Sequence, residues 1–540
     1  MIKKLSLFLF ACIALTTSIA AQQATPLYKV VKTVTPPDET DEIIFEVPEG
    51  ETSYLSRDCV AFKYDYEGVS KSTVYGSAVT MTTTGDGTVY LSNPITEFTL
   101  LSYFKGSLQA DGSIVVTGPQ LIYDEYDDWE EEWVNVYLVP MDKVVDEYQR
   151  ITYKPTEDMK LVLKKTENGY EAANPDQMLG LALYGEIADL DGNPIGKGYA
   201  WNGYGDYNLT FTAKQPSNGI TPPEGAKIER WAFHDPYETA LINVVPGEKE
   251  FYIQGLDRGT PDGWLKATVK DGKITIPSKT FIGINPTIAY YTYMWGSTLE
   301  YDEEGELRGN STDEVIFTYD ADSKKLYLEE GQGYGICSSA EHYYLLTLYE
   351  NVEIYNQNRN VNTLPAAPYD LEVEPFDEYF QTGIMRFYLP SYDEDNNLLE
   401  TDKLYYNIYL NDEIFTFTPE EYPYMELTEN MVNVPYSLWD NDMIFIYQDY
   451  HEIFFVSELT GKCGVQSVYV NEEGKELRSE IVSVDVSGVN SMEQEKEITS
   501  CTFYNLQGQP VPVTYSGLVI CRTTYSDGTV KVTKMMKHNN

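Results

Sequence analysis

The chain has 540 residues, with 85 Asp and Glu against 38 Lys and Arg, a formal net charge of −47, 4 His and 6 Cys. That length exceeds what one hydrophobic core serves, so several domains are expected, and 42% hydrophobic residues is enough to fill them. The charge excludes binding that rests on Lys and Arg displacing the counterions of a phosphate backbone, so no nucleic-acid partner is expected, and a bare anionic membrane is disfavoured in the same way.

At the N-terminus, residues 1–21 (MIKKLSLFLFACIALTTSIAA) set Lys3 and Lys4 before an apolar run, with the small residues Ser18 and Ala20 at the positions a signal peptidase reads. A signal peptide over 1–21 is therefore expected, with a mature chain starting at Ala21 or Gln22. Cys12 follows Leu9, Phe10 and Ala11, a lipoprotein-like order that bulky Phe10 fits badly. No later stretch reaches the ~18 apolar residues of a spanning helix, so the mature chain is expected to lack a transmembrane segment. Loss of Lys3 and Lys4 with the signal leaves 36 bases against 85 acids, a net charge of −49.

From Tyr54 onward, short runs rich in Val, Ile, Tyr, Thr and Phe alternate apolar with polar residues and are cut by Gly, Asp-Gly or Pro. This is strand patterning with period two, and Tyr alone numbers 46. Helical spacing is nearly absent; MDKVVDEYQ (141–149) reads as a short helical connector. Residues 88–122 (TVYLSNPITEFTLLSYFKGSLQADGSIVVTGPQLI) align with 250–282 (EFYIQGLDRGTPDGWLKATVKDGKITIPSKTFI), pairing Phe104-Lys105 with Leu265-Lys266 and Asp111-Gly112 with Asp271-Gly272. Two related β modules follow, 22–217 with an N-terminal extension and 218–358, each of roughly eight strands with Asp-Gly hairpin turns. Antiparallel sheets curled into barrels would hide their own edges.

Within module 1, DEYDDWEEEW (124–133) gathers seven acids that cannot all be buried. It reads either as a solvated loop or as a calcium site through the hard oxygens of Asp124, Asp127, Asp128 and Glu131. Trp129 and Trp133 could stack on sugar faces or support the hairpin. ADLDGNPIGKG (188–198) starts like a calcium loop, but Pro194 interrupts it and Ala200 stands where an acid is needed, so it reads as a hairpin turn. YAWNGYGDY (199–207) offers Trp201 and Tyr204 to a binding mouth, or to plain sheet surface. Module 2 echoes the acidic run in MWGSTLEYDEEGE (294–306), with Trp295 as its aromatic. Cys337, in GYGICSS, has no recognisable activating histidine and reads as a strand residue.

Prolines in LPAAPYDLEVEP (364–375) mark a change of composition, giving a linker at 359–367. Strand spacing over 368–486 then fits a β-sandwich, and 489–540 is a separate small β unit. Cys59, Cys337, Cys463, Cys501 and Cys521 show no CxxC, and with four scattered histidines they give no zinc or haem pattern. Cys501 and Cys521 each open an apolar run within the last unit and could pair in an oxidising compartment. The fold expected is all-β throughout, with no cofactor pattern beyond the possible calcium.

ITSCTFYNLQGQPV (498–511) followed by SGLVICRTTYSDGTVKVTKMMK (516–537) resembles the C-terminal sorting domain read by the type IX secretion system of Bacteroidetes. The features are Tyr504-Asn505, Gly508, the 517–520 strand opening and Asp527-Gly528 before alternating Lys and Val; Cys521 and the tail 535–540 depart from the usual ending. The resemblance implies the type IX machinery as a partner and export through the periplasm to the outer-membrane surface or the medium. Residues 368–486 resemble a fibronectin type III module, with Pro365 and Pro368 before the first strand and GVQSVYVNEEGKELRSE (464–480) as its last hairpin. PPEG (222–225), EFYIQGL and PDGWLKATVKDGKITIP (261–277) resemble repeats in uncharacterised Bacteroidetes surface proteins. That likeness implies calycin-like, lipocalin-style barrels.

Together these readings favour an exported, non-enzymatic protein that binds glycan, a lipid-like small molecule or a host protein. A secreted glycan hydrolase or peptidase-like enzyme is the alternative, although no two carboxylates can be selected from 85. A structural surface-layer component is a third. A ligand held inside a barrel would require a cavity there; a filled interior would move recognition to the outside.

Overall fold

The computed structural model describes residues 24–36, 42–65, 68–127, 132–302, 305–377, 382–440, 443–486, 498–504, 510–512, 517–525 and 530–537. The expected signal peptide lies outside them. The chain divides into two compact units, Met1–Asn356 and Gln357–Asn540.

The first unit holds both modules, and all its named elements are strands, as the period-two patterning requires. Module 1 comprises β1 (Tyr28–Thr33), β2 (Glu51–Asp65), β3 (Gly68–Thr83), β4 (Thr88–Ser92), β5 (Tyr103–Leu108), β6 (Ile114–Thr117) and β7 (Gln120–Asp127). It continues with β8 (Glu132–Val145), β9 (Ile151–Pro155), β10 (Lys160–Thr166), β11 (Gly169–Ala172), β12 (Met178–Asp189) and β13 (Pro194–Lys214). Module 2 comprises β14 (Glu229–His234), β15 (Thr239–Val245), β16 (Glu250–Gln254), β17 (Trp264–Lys270), β18 (Lys273–Pro277), β19 (Thr280–Asn285) and β20 (Tyr290–Tyr301). Its remaining strands are β21 (Leu307–Thr312), β22 (Glu314–Asp320), β23 (Lys325–Tyr327), β24 (Gln332–Cys337), β25 (Leu345–Glu350) and β26 (Glu353–Asn356).

In module 2, β14–β15–β16–β17–β18–β22–β23–β26 form a closed antiparallel barrel, sealed by β26 against β14. Module 1 repeats the circuit. Its pairings run β2–β3–β4–β5–β6–β10–β11–β13 and return from β13 to β2. The repeat seen in sequence is thus a repeat of topology: β5 answers to β17 and β10 to β22. The aligned Asp-Gly pairs occupy the same turn, where Gly112 and Gly272 take φ of 82° and 72°.

Each module also carries strands outside the ring, which the sequence did not separate from it. In module 1, β8 pairs with β7, β9 and β12, β12 with β1, and the first half of β13 joins β12 before its second half enters the ring. In module 2, β20 pairs with β19, β21 and β24, and β24 with β25. The stretch read as a helical connector is strand through Val145, because its Met141, Val144 and Val145 continue the β8 pairing with β9.

Alternation decides what each face does. Along β20, Met294 joins the core of the ring while Tyr291, Tyr293 and Trp295 point to the opposite side. The rings themselves are filled. In module 2 every ring strand contributes buried side chains to one core, from Trp231 and Phe233 to Phe317, Leu326 and Ile354. Module 1 packs Val89, Leu91, Phe104, Ile114, Leu161, Leu163 and Phe211 in the same way. Each such large apolar side chain contributes about 1.5–3 kcal/mol by its burial. The inward positions of both rings are thus taken by bulky apolar side chains that pack into one core in each module.

The second unit contains a β-sandwich. A sheet ordered Tyr369–Asp377, Thr382–Tyr388, Tyr450–Phe455, Ile444–Tyr447 faces one built on Leu404–Leu410 and Lys462–Val470. Met385, Phe387, Ile453 and Phe455 from the first share a core with Tyr406, Ile408, Cys463 and Val465 from the second. The expected linker 359–367 is docked onto this sandwich: Arg359 pairs with fully buried Asp393 at 3.0 Å and lies 4.7 Å over the Tyr469 ring. The final strands form a four-stranded sheet ordered Pro510–Val511, Ile498–Tyr504, Gly517–Tyr525, Val530–Lys537.

Candidate functional site

With the barrel interiors occupied, recognition falls to the outside, and module 1 has a cleft there. It is lined by Pro26, Leu27 and Tyr28, by Thr152 to Pro155, by Ile187 and Ile195, and by Tyr199, Ala200 and Trp201, around about 260 Å³. This is slightly below the ~300 Å³ at which small-molecule pockets usually begin, so it suits one ring rather than a long chain.

The N-terminal segment makes one wall. Ala24 bridges Ile151, the Thr25 N–H donates to the Ile151 carbonyl at 2.8 Å, and β1 then runs antiparallel to β12 from Tyr28 opposite Asp189 to Thr33 opposite Gly185. The floor is a second apolar cluster of Phe62, Tyr137, Met141, Tyr153, Met178 and Trp201. Trp201 is held on three sides: edge-on to Phe62 at 5.5 Å and to Tyr153 at 5.2 Å, with its Nε1–H donated to the Tyr204 carbonyl at 2.8 Å. Tyr199 meets Tyr137 at 5.3 Å and Tyr184 at 4.7 Å. Burial and the neighbouring Tyr207 push the Tyr153 phenol up, so it stays a neutral hydroxyl at neutral pH.

Polar chemistry enters through β9. Thr152 is 1% exposed and its hydroxyl has no hydrogen-bond partner among the described residues. Such a buried group costs about 1–3 kcal/mol until something bonds to it. Lys154 places its ammonium 4.4 Å over the Tyr28 ring.

The residues singled out in the sequence separate. Trp201 lines the cleft, and Tyr204 supports it through its backbone while its own hydroxyl donates to the Tyr64 carbonyl at 2.7 Å and its ring packs on Phe98. Trp133 is 62% exposed on the β7–β8 hairpin, T-shaped to Tyr126 at 5.6 Å. Trp295 is not a surface aromatic: it is buried under module 2's outer cluster, donates Nε1–H to the Ser339 carbonyl at 3.0 Å and carries Lys279 at 5.0 Å over its ring. Trp129, Asp128 and Glu131 lie outside the described residues, as does the side chain of Asp127; Asp124 is exposed on β7 opposite Asn135. Among the described residues no three His, Cys, Asp or Glu side chains gather as a metal site.

ADLDGNPIGKG is the turn joining β12 to β13. Asp189 accepts from the N–H groups of Asp191 and Asn193 and from the Asn193 amide, which holds its carboxyl below the usual range and commits it to the turn. Cys337 is a buried strand residue whose thiol burial pushes up. Cys501 and Cys521 sit on paired strands with their sulfurs 2.7 Å apart.

Tyr28, Thr152, Tyr153 and Lys154 were missed by the sequence reading. The alternation of YKVVKT was available as a strand signal, but nothing local says that this strand docks beside β12 and walls a cleft with β9. No family model matches this chain, and no curated protein matches it.

Proposed function

We propose that this is an exported, non-catalytic surface or secreted protein that binds a glycan by holding one sugar ring in the cleft of module 1. The observation that carries the reading is the aromatic lining of that cleft, where the partly buried rings of Tyr28 and Tyr199 stand over buried Tyr153 and Trp201. Aromatic faces supply apolar area to the C–H face of a sugar. The sandwich, read as fibronectin type III-like, is a spacer, and residues 489–540 are the sorting signal for type IX secretion.

Titration of the mature protein with a panel of monosaccharide glycosides, followed by calorimetry, tests the cleft. Tyr199→Ala is expected to weaken binding by roughly tenfold, the equivalent of about 1.4 kcal/mol, with little change in thermal stability because Tyr199 is only partly buried. If no ring binds to the wild type, or Tyr199→Ala binds as well as it does, the cleft is not the site.

The sorting assignment is tested in the producing cell. A chain ending at Ser487 is expected to accumulate in the periplasm, measured by fractionation and surface proteolysis, whereas normal surface delivery of the truncated chain would overturn it.

A further inference from the structure

The cleft is electrostatically odd for this protein. In a chain of net charge −47, the one charged residue among its lining residues is a cation, Lys154. The antiparallel register puts Asp142 directly opposite Lys154, the natural cross-strand partner. That pair does not form. Asp142 accepts instead from the Gln177 amide at 3.0 Å, and the Lys154 ammonium turns onto Tyr28 at the cleft wall. Nearby charges make other pairs: Lys143, the next cation along the neighbouring strand, pairs with Asp176 at 3.5 Å, and Glu186 meets Lys197 at 3.9 Å across the β12–β13 hairpin. The carboxylate of Asp189, opposite Tyr28, is spent on its own turn. Lys154 is thus the charged donor of the cleft lining, held over the Tyr28 ring rather than in an ion pair with a carboxylate of the described residues.

We propose that the ring held in this cleft bears a carboxylate, which Lys154 receives while the partly buried Tyr28 and Tyr199 take the apolar face; for a glycan this means a uronic acid residue. The inference rests on the cleft being the binding site and adds the charge of the ligand. Tyr28 holds the ammonium at the rim in advance, which lowers the ordering cost of a long flexible side chain. A charge-assisted contact contributes more than a neutral one and discriminates against a ligand that lacks the charge.

Two matched pairs of probes separate the possibilities on the full mature chain: methyl glucuronide against methyl glucoside, and cyclohexanecarboxylate against cyclohexylmethanol. The acid of each pair is expected to bind roughly tenfold more tightly than its neutral twin at low salt, with the preference shrinking as salt is raised. In Lys154→Met, which keeps the stem on Tyr28, that preference is expected to vanish while neutral binding persists. A preference confined to the glucuronide pair assigns the acid to a sugar; one shared by both pairs assigns it to any carboxylated ring. Equal binding of acid and neutral twins overturns the charge assignment and leaves the cleft standing, as does a preference that survives in Lys154→Met. Failure of all four probes overturns the cleft reading and this one with it.

Discussion

Arg57→Ala is expected to destabilise the first unit by about 3–5 kcal/mol, the range for removing one partner of a buried pair and leaving the other charge uncompensated. Arg57 is fully buried on β2, with Nη1 3.3 Å from Asp206 Oδ2 and 3.1 Å from the Pro94 carbonyl, and Nη2 3.1 Å from Ser77 Oγ. Asp206, equally buried, also accepts from the N–H and hydroxyl of Thr96. Burial lifts its carboxyl above the usual range, with Arg57 and Thr96 opposing the rise. Without Arg57 that carboxyl rises further, so the folded variant holds the proton to higher pH than the unfolded chain does. Its deficit should therefore grow as pH rises through the carboxyl titration and shrink on acidification.

Module 2 shows that the barrel does not need this pair. Arg57 faces Phe211 in the β2–β13 register, and Phe233 faces Ile354 in the equivalent β14–β26 register. Asp206 stands five residues before Phe211, where module 2 has Tyr349 before Ile354, and Phe233 and Tyr349 meet edge-on at 6.1 Å. Arg57→Met combined with Asp206→Leu should accordingly cost less than the two single changes added together. Denaturant unfolding of the mature chain, with hydrogen exchange in β2 and β13 to locate the loss, measures both terms. Strict additivity, or a single-variant cost under about 1 kcal/mol, would show that the pair is not coupled as described.

Gly76→Ala is expected to cost about 2–4 kcal/mol and to act at the junction of the two modules. Gly76 sits where β3 bulges opposite Asp58, at φ +75°, and a Cβ there would stand 1.9 Å from the Ser338 carbonyl oxygen of module 2. The same stretch makes further junction contacts: Tyr75 stacks on His342 at 4.1 Å, Ser77 bridges Tyr290, and the Ala78 N–H donates to the Ala289 carbonyl at 2.7 Å. Gly225 is the control, since it has φ +74° with nothing within 4 Å of a Cβ, so alanine there tests backbone strain alone, about 1–2 kcal/mol at most. Faster hydrogen exchange at Ala78 and over 338–344 in Gly76→Ala, but not in Gly225→Ala, is the expected pattern. Equal effects of the two would mean that the close approach to Ser338 contributes nothing.

The strands and the duplication were legible because they are written in local alternation and in spaced turns. Val89, Leu91, Ile114, Val116, Leu161 and Leu163 stand at alternate positions of their strands and all turn inward, so the module could be read as a self-closing sheet before its partners were known. The division between ring and side sheet was not legible. Leu138 and Val139 are neighbours with equal hydrophobicity, yet one belongs to the barrel core and the other to the cluster beneath the cleft, and only the packing of both faces separates them. Trp201 and Trp295 look alike in sequence, each in a Gly- and Tyr-rich strand. Both are buried, but Trp201 lies under the cleft that β1 and β9 wall, whereas Trp295 packs with Ala78, Tyr343 and Leu345.

Composition and periodicity were enough to establish an acidic, all-β, duplicated chain, since charge and period-two burial are properties of neighbours along the chain. Barrel filling and the cleft were decided by contacts between residues far apart in sequence: β1 beside β12, Lys154 turned from Asp142 to Tyr28, and side chains meeting across each ring. Those choices depend on which surfaces meet and exclude water, a matter of three-dimensional packing that local alternation does not encode.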